Sequence, residues 1–189
     1  DVISRVGYAL TGGSEALRSE MEACLQALAK EMSHSAGVDL PETVVAVGNT
    51  AMLHLLTGTD PTPLAAAPFI LKRTFGEWEG TRYYPLCISA YVGADMTAAI
   101  LSSGMCESPD QTALLIDVGT NGEMALLHQG ALTCCSTAAG PAFEGAGISC
   151  GSMAVPGAVS DVWAEDGRIC YRTIDNCPPV GLCGTGIID

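Results

Sequence analysis

A chain of 189 residues has room for one sizeable domain, or for two small lobes sharing a cleft. Hydrophobic residues at 48% against 15% charged residues supply ample core material and exclude a disordered chain. The net charge of −13, from 21 acids and 8 bases, repels a phosphate backbone and excludes nucleic-acid binding; it leaves a nucleotide open, because backbone N–H groups and a metal bind phosphate without many cations.

Ser14 to about Ser33 is predicted as an amphipathic helix, with Leu17, Met21, Cys24, Leu25, Leu28 and Met32 at three- and four-residue steps. Ser14 reads as its N-cap and Gly37 as its stop. Thr43 to Val47 is predicted as a short buried strand, followed by a helix over roughly Ala51 to Leu56. Gly48, Asn49 and Thr50 then stand at a strand's carboxyl end and a helix's amino end, where open α/β sheets bind ligands. Thr57 to Pro68 reads as loop, and the stretch to Tyr84 carries a weak strand signal. Ser89 to Ser103 is predicted helical, rich in small residues and ended by Gly104.

Ala113 to Asp117 is the strongest buried-strand pattern in the chain. A turn over Gly119–Gly122, a strand from about Glu123 to Leu127, a turn at His128-Gln129-Gly130 and a strand over Ala131–Ser136 predict three consecutive antiparallel strands. A short helix is expected near Phe143–Ala146, and a hairpin with Asp166-Gly167 at its tip joins Val159–Ala164 to Arg168–Thr173. The nine cysteines show no C-x-x-C spacing; an odd number in a chain with a substantial core argues for reduced thiols in the cytoplasm. There is no apolar run of membrane-spanning length. Both ends read as cut, so that the native protein is expected to be longer.

The chemistry concentrates at Ile116-Asp117-Val118-Gly119-Thr120-Asn121-Gly122-Glu123. An acid at the end of a strand, followed by a Gly/Thr turn, suits a metal-bound phosphate. Glycine allows close backbone approach, and Thr120 and Asn121 add donors. Asp117 is placed to hold Mg²⁺ through water or to orient an attacking water; capping an ordinary hairpin turn is the other reading of the same acid.

These residues, with Val47-Gly48-Asn49-Thr50-Ala51, Tyr91-Val92-Gly93-Ala94-Asp95, Ser136-Thr137-Ala138-Ala139-Gly140-Pro141-Ala142-Phe143-Glu144-Gly145 and Gly181-Leu182-Cys183-Gly184-Thr185-Gly186, resemble the C-terminal ATPase domain of the reductive activators of corrinoid proteins, a branch of the actin, hexokinase and Hsp70 superfamily. The resemblance implies an α/β, ribonuclease-H-like (actin-like) ATPase fold in partial form, three antiparallel strands plus parallel strands with flanking helices. It divides the chain into a segment 1–110 leading into a connecting helix and a phosphate-hairpin, nucleotide-side segment 111–189. It implies ATP and Mg²⁺ as ligands, a corrinoid protein as partner, homodimerisation, and a cytoplasmic protein without membrane or nucleic-acid partners. An iron–sulfur cluster, often a [2Fe–2S] ferredoxin domain, is expected only outside this chain, as is a first phosphate hairpin upstream of Asp1. The function implied is ATP-assisted restoration of Co(I), with the fragment alone inactive.

The implied nucleotide residues are Gly119, Thr120, Asn121, Gly122, Glu123, Gly48, Asn49, Thr50, Gly140, Glu144, Gly181, Gly184, Thr185 and Gly186. Asp95 joins Asp117 as a candidate catalytic carboxylate, with helix capping as its alternative. Ser136 is a candidate for contact with the corrinoid or another ligand, capping being its alternative. Gly181, Gly184, Thr185 and Gly186 read either as the adenosine side or as a plain loop. His54, in an apolar helix, is expected to be a packed histidine. Two rival readings stay open: a small-molecule kinase of the same superfamily, and a non-catalytic binding or dimerisation module.

Overall fold

The computed structural model describes residues 2–108 and 110–188, with the side chains of Phe143 and Glu144 outside the described set. By its internal contacts the chain forms two units, residues 2–115 with Ala125–Cys135, and Ile116–Met124 with residues 136–188.

The first unit opens with helix α1 (Val2–Tyr8), a widened turn Ala9–Gly13 and the long helix α2 (Ser14–Ala36). Gly37 ends α2 in the left-handed conformation, as predicted, its N–H reaching the His34 carbonyl. Ser14 is not a capping residue. The chain enters α2 already wound through Ala9–Gly13, so Gly13 occupies the cap position and no side chain is needed there. The amphipathic pattern of α2 is only partly used. Met21 packs on the core, while Leu25 and Leu28 are exposed and Met32 is 70% exposed. Arg82 anchors this helix by gripping both Glu22 oxygens, at 2.6 and 3.0 Å, and that hydrogen-bonded pairing holds the Glu22 carboxyl below its ordinary range.

Strand β1 (Val44–Val45) pairs in parallel with β3 (Arg82–Tyr84), which pairs antiparallel with β2 (Glu77–Glu79). The strand expected to be buried here is exposed at Val44, Val45 and Val47. Helix α3 (Thr50–Leu56) begins one residue earlier than predicted and is buried almost all round. Its Leu53 and Leu56 form a core with Phe75, Tyr84, Cys87 and Ala94, each buried aliphatic side chain contributing about 1.5–3 kcal/mol.

Helix α4 (Ala94–Ser103) starts five residues later than the small-residue pattern suggested. Ser89–Val92 folds instead into a tight turn closed by Ile88 and Ser89 N–H groups on the Val92 carbonyl. Gly93 follows in an extended conformation, and Gly104 stops α4 in the left-handed region. Strands β4 (Ala113–Val118), β5 (Asn121–His128) and β6 (Ala131–Ala138) form a sheet in that order. Joined by two-residue turns, they can pair only antiparallel. Val92, Met96 and Ile100 pack with Ala125, Leu115 and Cys134. The strand read as most deeply buried, β4, is covered on one face only. Leu114, Ile116 and Val118 are 58%, 52% and 59% exposed, because an unbroken apolar run satisfies one-sided and two-sided packing alike.

The second unit holds a 3₁₀ turn at Pro141–Glu144, where a short helix was expected, then β7 (Ala158–Glu165), β8 (Arg168–Thr173), β9 (Gly181–Leu182) and α5 (Gly184–Ile188). β7 pairs antiparallel with β8 and parallel with β9. The β7–β8 turn is the Asp166-Gly167 hairpin, with both residues at positive φ (49° and 72°).

His54 is the packed histidine that its apolar helix suggested, 0% exposed with its ring edge-on to Phe75. Nδ1–H donates to the Thr50 carbonyl at 2.8 Å, and Nε2 is buried without a hydrogen-bond partner. Burial, the largest influence, pushes its pKa below 6.5; the Thr50 bond opposes this, and Arg73 adds to the lowering. A folded-state pKa below the unfolded value means that His54 favours folding above about pH 6.5. That contribution is lost as pH falls from there towards the folded pKa, by up to about 1.4 kcal/mol per pH unit. Urea unfolding should therefore give a lower stability at pH 5.5 than at 7.5, with His54→Leu flattening the difference. A His54→Leu protein that keeps the full pH slope would assign the effect elsewhere.

Candidate functional site

Asp117 is the penultimate residue of β4 and is exposed to solvent, separated by Val118 from the Gly119-Thr120 link to β5. The other two-residue hairpin turns among the described residues, Gly80-Thr81 (φ 61° at Gly80), Gln129-Gly130 (φ 50° and 74°) and Asp166-Gly167, have positive φ values that match strand twist. Gly119 and Thr120 do not have them. A link without positive φ does not follow the strand twist in the way those turns do. Its Thr120 carbonyl accepts from the Gly140 N–H at 2.8 Å, bringing two of the predicted segments together.

The remaining residues of the motif have distinct places. Asn121 and Glu123 are half-buried in β5, and Gly122 is buried against Thr137, where an added Cβ would stand 3.2 Å from the threonine methyl. Gly122 thus serves strand packing, a role that the sequence reading, which gave it only to phosphate approach, did not include. Ser136 is half-buried on β6, one residue from Thr137. Gly140 has φ 86°, a conformation that favours glycine. The Glu144 side chain lies outside the described residues.

Gly48, Asn49, Thr50 and Asp95 come together as a second cluster, in the first unit. The Gly48 carbonyl accepts from the N–H groups of Ala94 and Asp95 at 3.0 and 3.3 Å. Asn49 caps α3 by accepting from the Met52 N–H at 3.0 Å, and the Thr50 hydroxyl donates to the Ser89 carbonyl at 2.7 Å. The Asp95 carboxylate accepts from the Met96 N–H at 2.9 Å. In this arrangement the polar groups of Asn49 and Thr50 hold the α3–α4 junction.

Gly181 and Gly186 belong with β9 and α5. A methyl on Gly186 would overlap the Val159 carbonyl, and one on Gly181 would press on Ser152 and Cys150. Glycine is required at both for close packing. Gly184 and Thr185 open α5, and the Thr185 hydroxyl lies 3.3 Å from the Cys183 sulfur.

Between Arg82 and Arg168 the sequence contains no Lys or Arg. An anion at the 119–122 turn must therefore be met by backbone N–H groups, by Thr120 and Asn121, and by a metal ion, not by cationic side chains from this stretch. Among the described residues no group of three or more His, Cys, Asp or Glu is arranged to cage a metal. The exposed Asp117 carboxylate beside the turn has the chemistry to share a Mg²⁺ ion with phosphate oxygens, a usual mode for this ion.

An open cavity of about 570 Å³ lies on the β7–β8 hairpin, lined by Trp163, Tyr171, Arg172 and the Asn176–Pro179 segment. None of the residues named from sequence lines it. Its signal, Trp163 paired with Cys170 and sharing a face with Arg172, whose guanidinium lies 6.0 Å from the indole ring centre, becomes visible only once the hairpin register is known. Among the described residues no helix is long and apolar enough to cross a membrane.

Comparison with known proteins agrees with this architecture. Residues 111–189 match the family model described as the C-terminal domain of RACo, the ASKHA domain, and residues 1–108 match the RACo middle region. The chain is 35% identical to the corrinoid activation enzyme RamQ of Eubacterium limosum, over all of this chain and 34% of that protein. It is 30% identical to a [Co(II) methylated amine-specific corrinoid protein] reductase of Methanosarcina barkeri, over 87% of this chain and 34% of that one. A solved structure titled reductive activator for corrinoid, iron–sulfur protein superposes on the whole chain with a TM-score of 0.80 at 36% identity, using 33% of its own length. The chain spans about a third of the length of these relatives. The actin-like α/β fold expected from sequence is the fold of the ASKHA match and of the solved structure.

Proposed function

Because this chain belongs to the RACo family, we propose that it is the ATP- and partner-binding portion of a reductive activator that restores Co(I) in a corrinoid protein. The observation that carries this reading is the Gly119-Thr120 turn, without positive φ at either residue, beside exposed Asp117 in a stretch without cationic side chains. ATP with Mg²⁺ is the ligand that such donors suit. Asp117 would hold the ion, directly or through water, and Thr120, Asn121 and the turn's N–H groups would take phosphate oxygens. When bound, Mg²⁺ supplies neutralisation of the phosphate charge. The protein's own residues orient the terminal phosphate and its attacking water, and Gly140, tied to Thr120, steadies the turn from outside.

On the family relationship, the electron is assigned to an iron–sulfur domain elsewhere in the full-length protein. ATP contributes by conformation. It shifts the docking equilibrium only through its different affinities for two conformers, so binding and hydrolysis change the partner's grip to that extent. The same reading makes the active assembly a cytoplasmic homodimer, which light scattering of the full-length protein checks.

The direct test measures the affinity of the full-length protein for its corrinoid protein with ATP, with ADP and without nucleotide. A difference of about fivefold or more between states is expected, corresponding to about 1 kcal/mol of coupling. Equal affinities in all three would remove the coupling reading.

A further inference from the structure

Residues 140–152 are tied to both of the segments that the proposed function sets around a nucleotide. At one end the Gly140 N–H donates to the Thr120 carbonyl at 2.8 Å. At the other, the Leu182 N–H donates to the Cys150 carbonyl and the Ser152 N–H to the Leu182 carbonyl, each at 2.8 Å, two residues before Gly184. Between these ties the Pro141–Glu144 turn packs against α5.

The waist of the segment is pinched as well. A methyl group on Gly145 would overlap the Ser152 carbonyl, and one on Gly151 would overlap the Gly145 carbonyl. Both obstacles are backbone atoms, which cannot rotate aside as a side chain does. Gly140, Gly145 and Gly147 are also at φ 86°, 77° and 78°, where other residues are strained. A segment held at both ends and closed on itself passes a displacement along, whereas a slack loop absorbs it.

From these contacts we infer that residues 140–152 form a strap that couples the 119–122 turn to the 181–186 segment. Nucleotide engaged at the turn is felt at β9, at α5 and at the exposed Ile148 on the strap itself. This rests on the reading that the turn binds nucleotide, and its test separates the two.

The test is hydrogen exchange on the full-length protein, with and without Mg²⁺ and a non-hydrolysable ATP analogue. The strap requires exchange slowed about tenfold or more both in peptides covering 116–123 and in those covering 141–152. Protection at 116–123 with none at 141–152 overturns the strap and leaves the nucleotide reading standing. Absence of protection at 116–123 removes both. In Gly145→Ala the pinch is lost, so protection at 116–123 and nucleotide affinity (within about twofold) should persist while protection across 146–152 disappears. Gly147→Ala, which carries the same positive-φ strain as Gly145→Ala (φ 78° against 77°) but meets nothing within 4 Å, is the control for strain alone and should retain protection in both regions. If Gly145→Ala does not fold, the exchange pattern of the unaltered protein decides alone.

Discussion

Replacing Asp117 by Asn in the full-length protein should lower Mg²⁺-dependent ATP hydrolysis about 100-fold or more, the usual scale for a positioned acid or base. Nucleotide affinity in the absence of Mg²⁺ should change by less than about threefold. Asn keeps the size of the side chain, removes its charge and replaces one acceptor oxygen with an N–H₂ donor. The residue is exposed at the end of β4, so the substitution should cost no more than about 0.5 kcal/mol of stability. Phosphate release measured beside a thermal melt separates chemistry from folding. Hydrolysis at the unaltered rate would assign Asp117 to turn capping and take the metal away from it.

Gly93→Ala should be the most damaging small substitution in the first unit. A Cβ there would stand 2.6 Å from Asn49 Cα and 2.7 Å from the Thr50 nitrogen, and neither backbone atom can retreat without moving the start of α3. Thr50, Leu53, His54, Leu55 and Leu56 are buried, so α3 has no free space to shift into. Overpacking of this kind costs about 3 kcal/mol, which for a chain of this size lowers the melting temperature by about 6–12 °C. A Gly93→Ala protein that melts within 2 °C of the original would show that the α3–α4 junction yields. The assignment of Gly48, Asn49 and Thr50 to a rigid structural joint would then have to be withdrawn.

Those two residues also mark where sequence reasoning succeeded and where it stopped. Asp117 and its turn stood out because an acid, two glycines and two hydrogen-bonding side chains fell between apolar strands, a local pattern needing no knowledge of neighbours. Gly93 drew notice only as a small residue of a predicted helix and as part of the Tyr91–Asp95 stretch that carries the family resemblance. Its real constraint is a backbone 44 positions away in the chain, which no local pattern reports. Gly122 and Gly186 are similar cases. Both were read as places for a ligand to approach, while the structure fills the space of one with Thr137 and of the other with the Val159 carbonyl. Asn49 and Thr50 were read from their strand-to-helix position, and that position is correct. Their polar atoms bind the protein itself, a fact set by the arrival of Ser89 and Met52.

What local chemistry decided was the set of elements: the turns at Gln129-Gly130 and Asp166-Gly167, the stops at Gly37 and Gly104, the strands β4 to β8 and the helix α3. Each depends on φ preference, capping or side-chain period within a few residues. Tertiary structure alone decided burial and partnership. The apolar runs of β1, β4 and α2 look alike in sequence whether covered or open, because hydrophobicity records a tendency to be buried and not the presence of a covering surface. Which glycines touch backbone, and which polar atoms bind the protein's own carbonyl and N–H groups, followed from long-range contacts that a linear pattern does not contain.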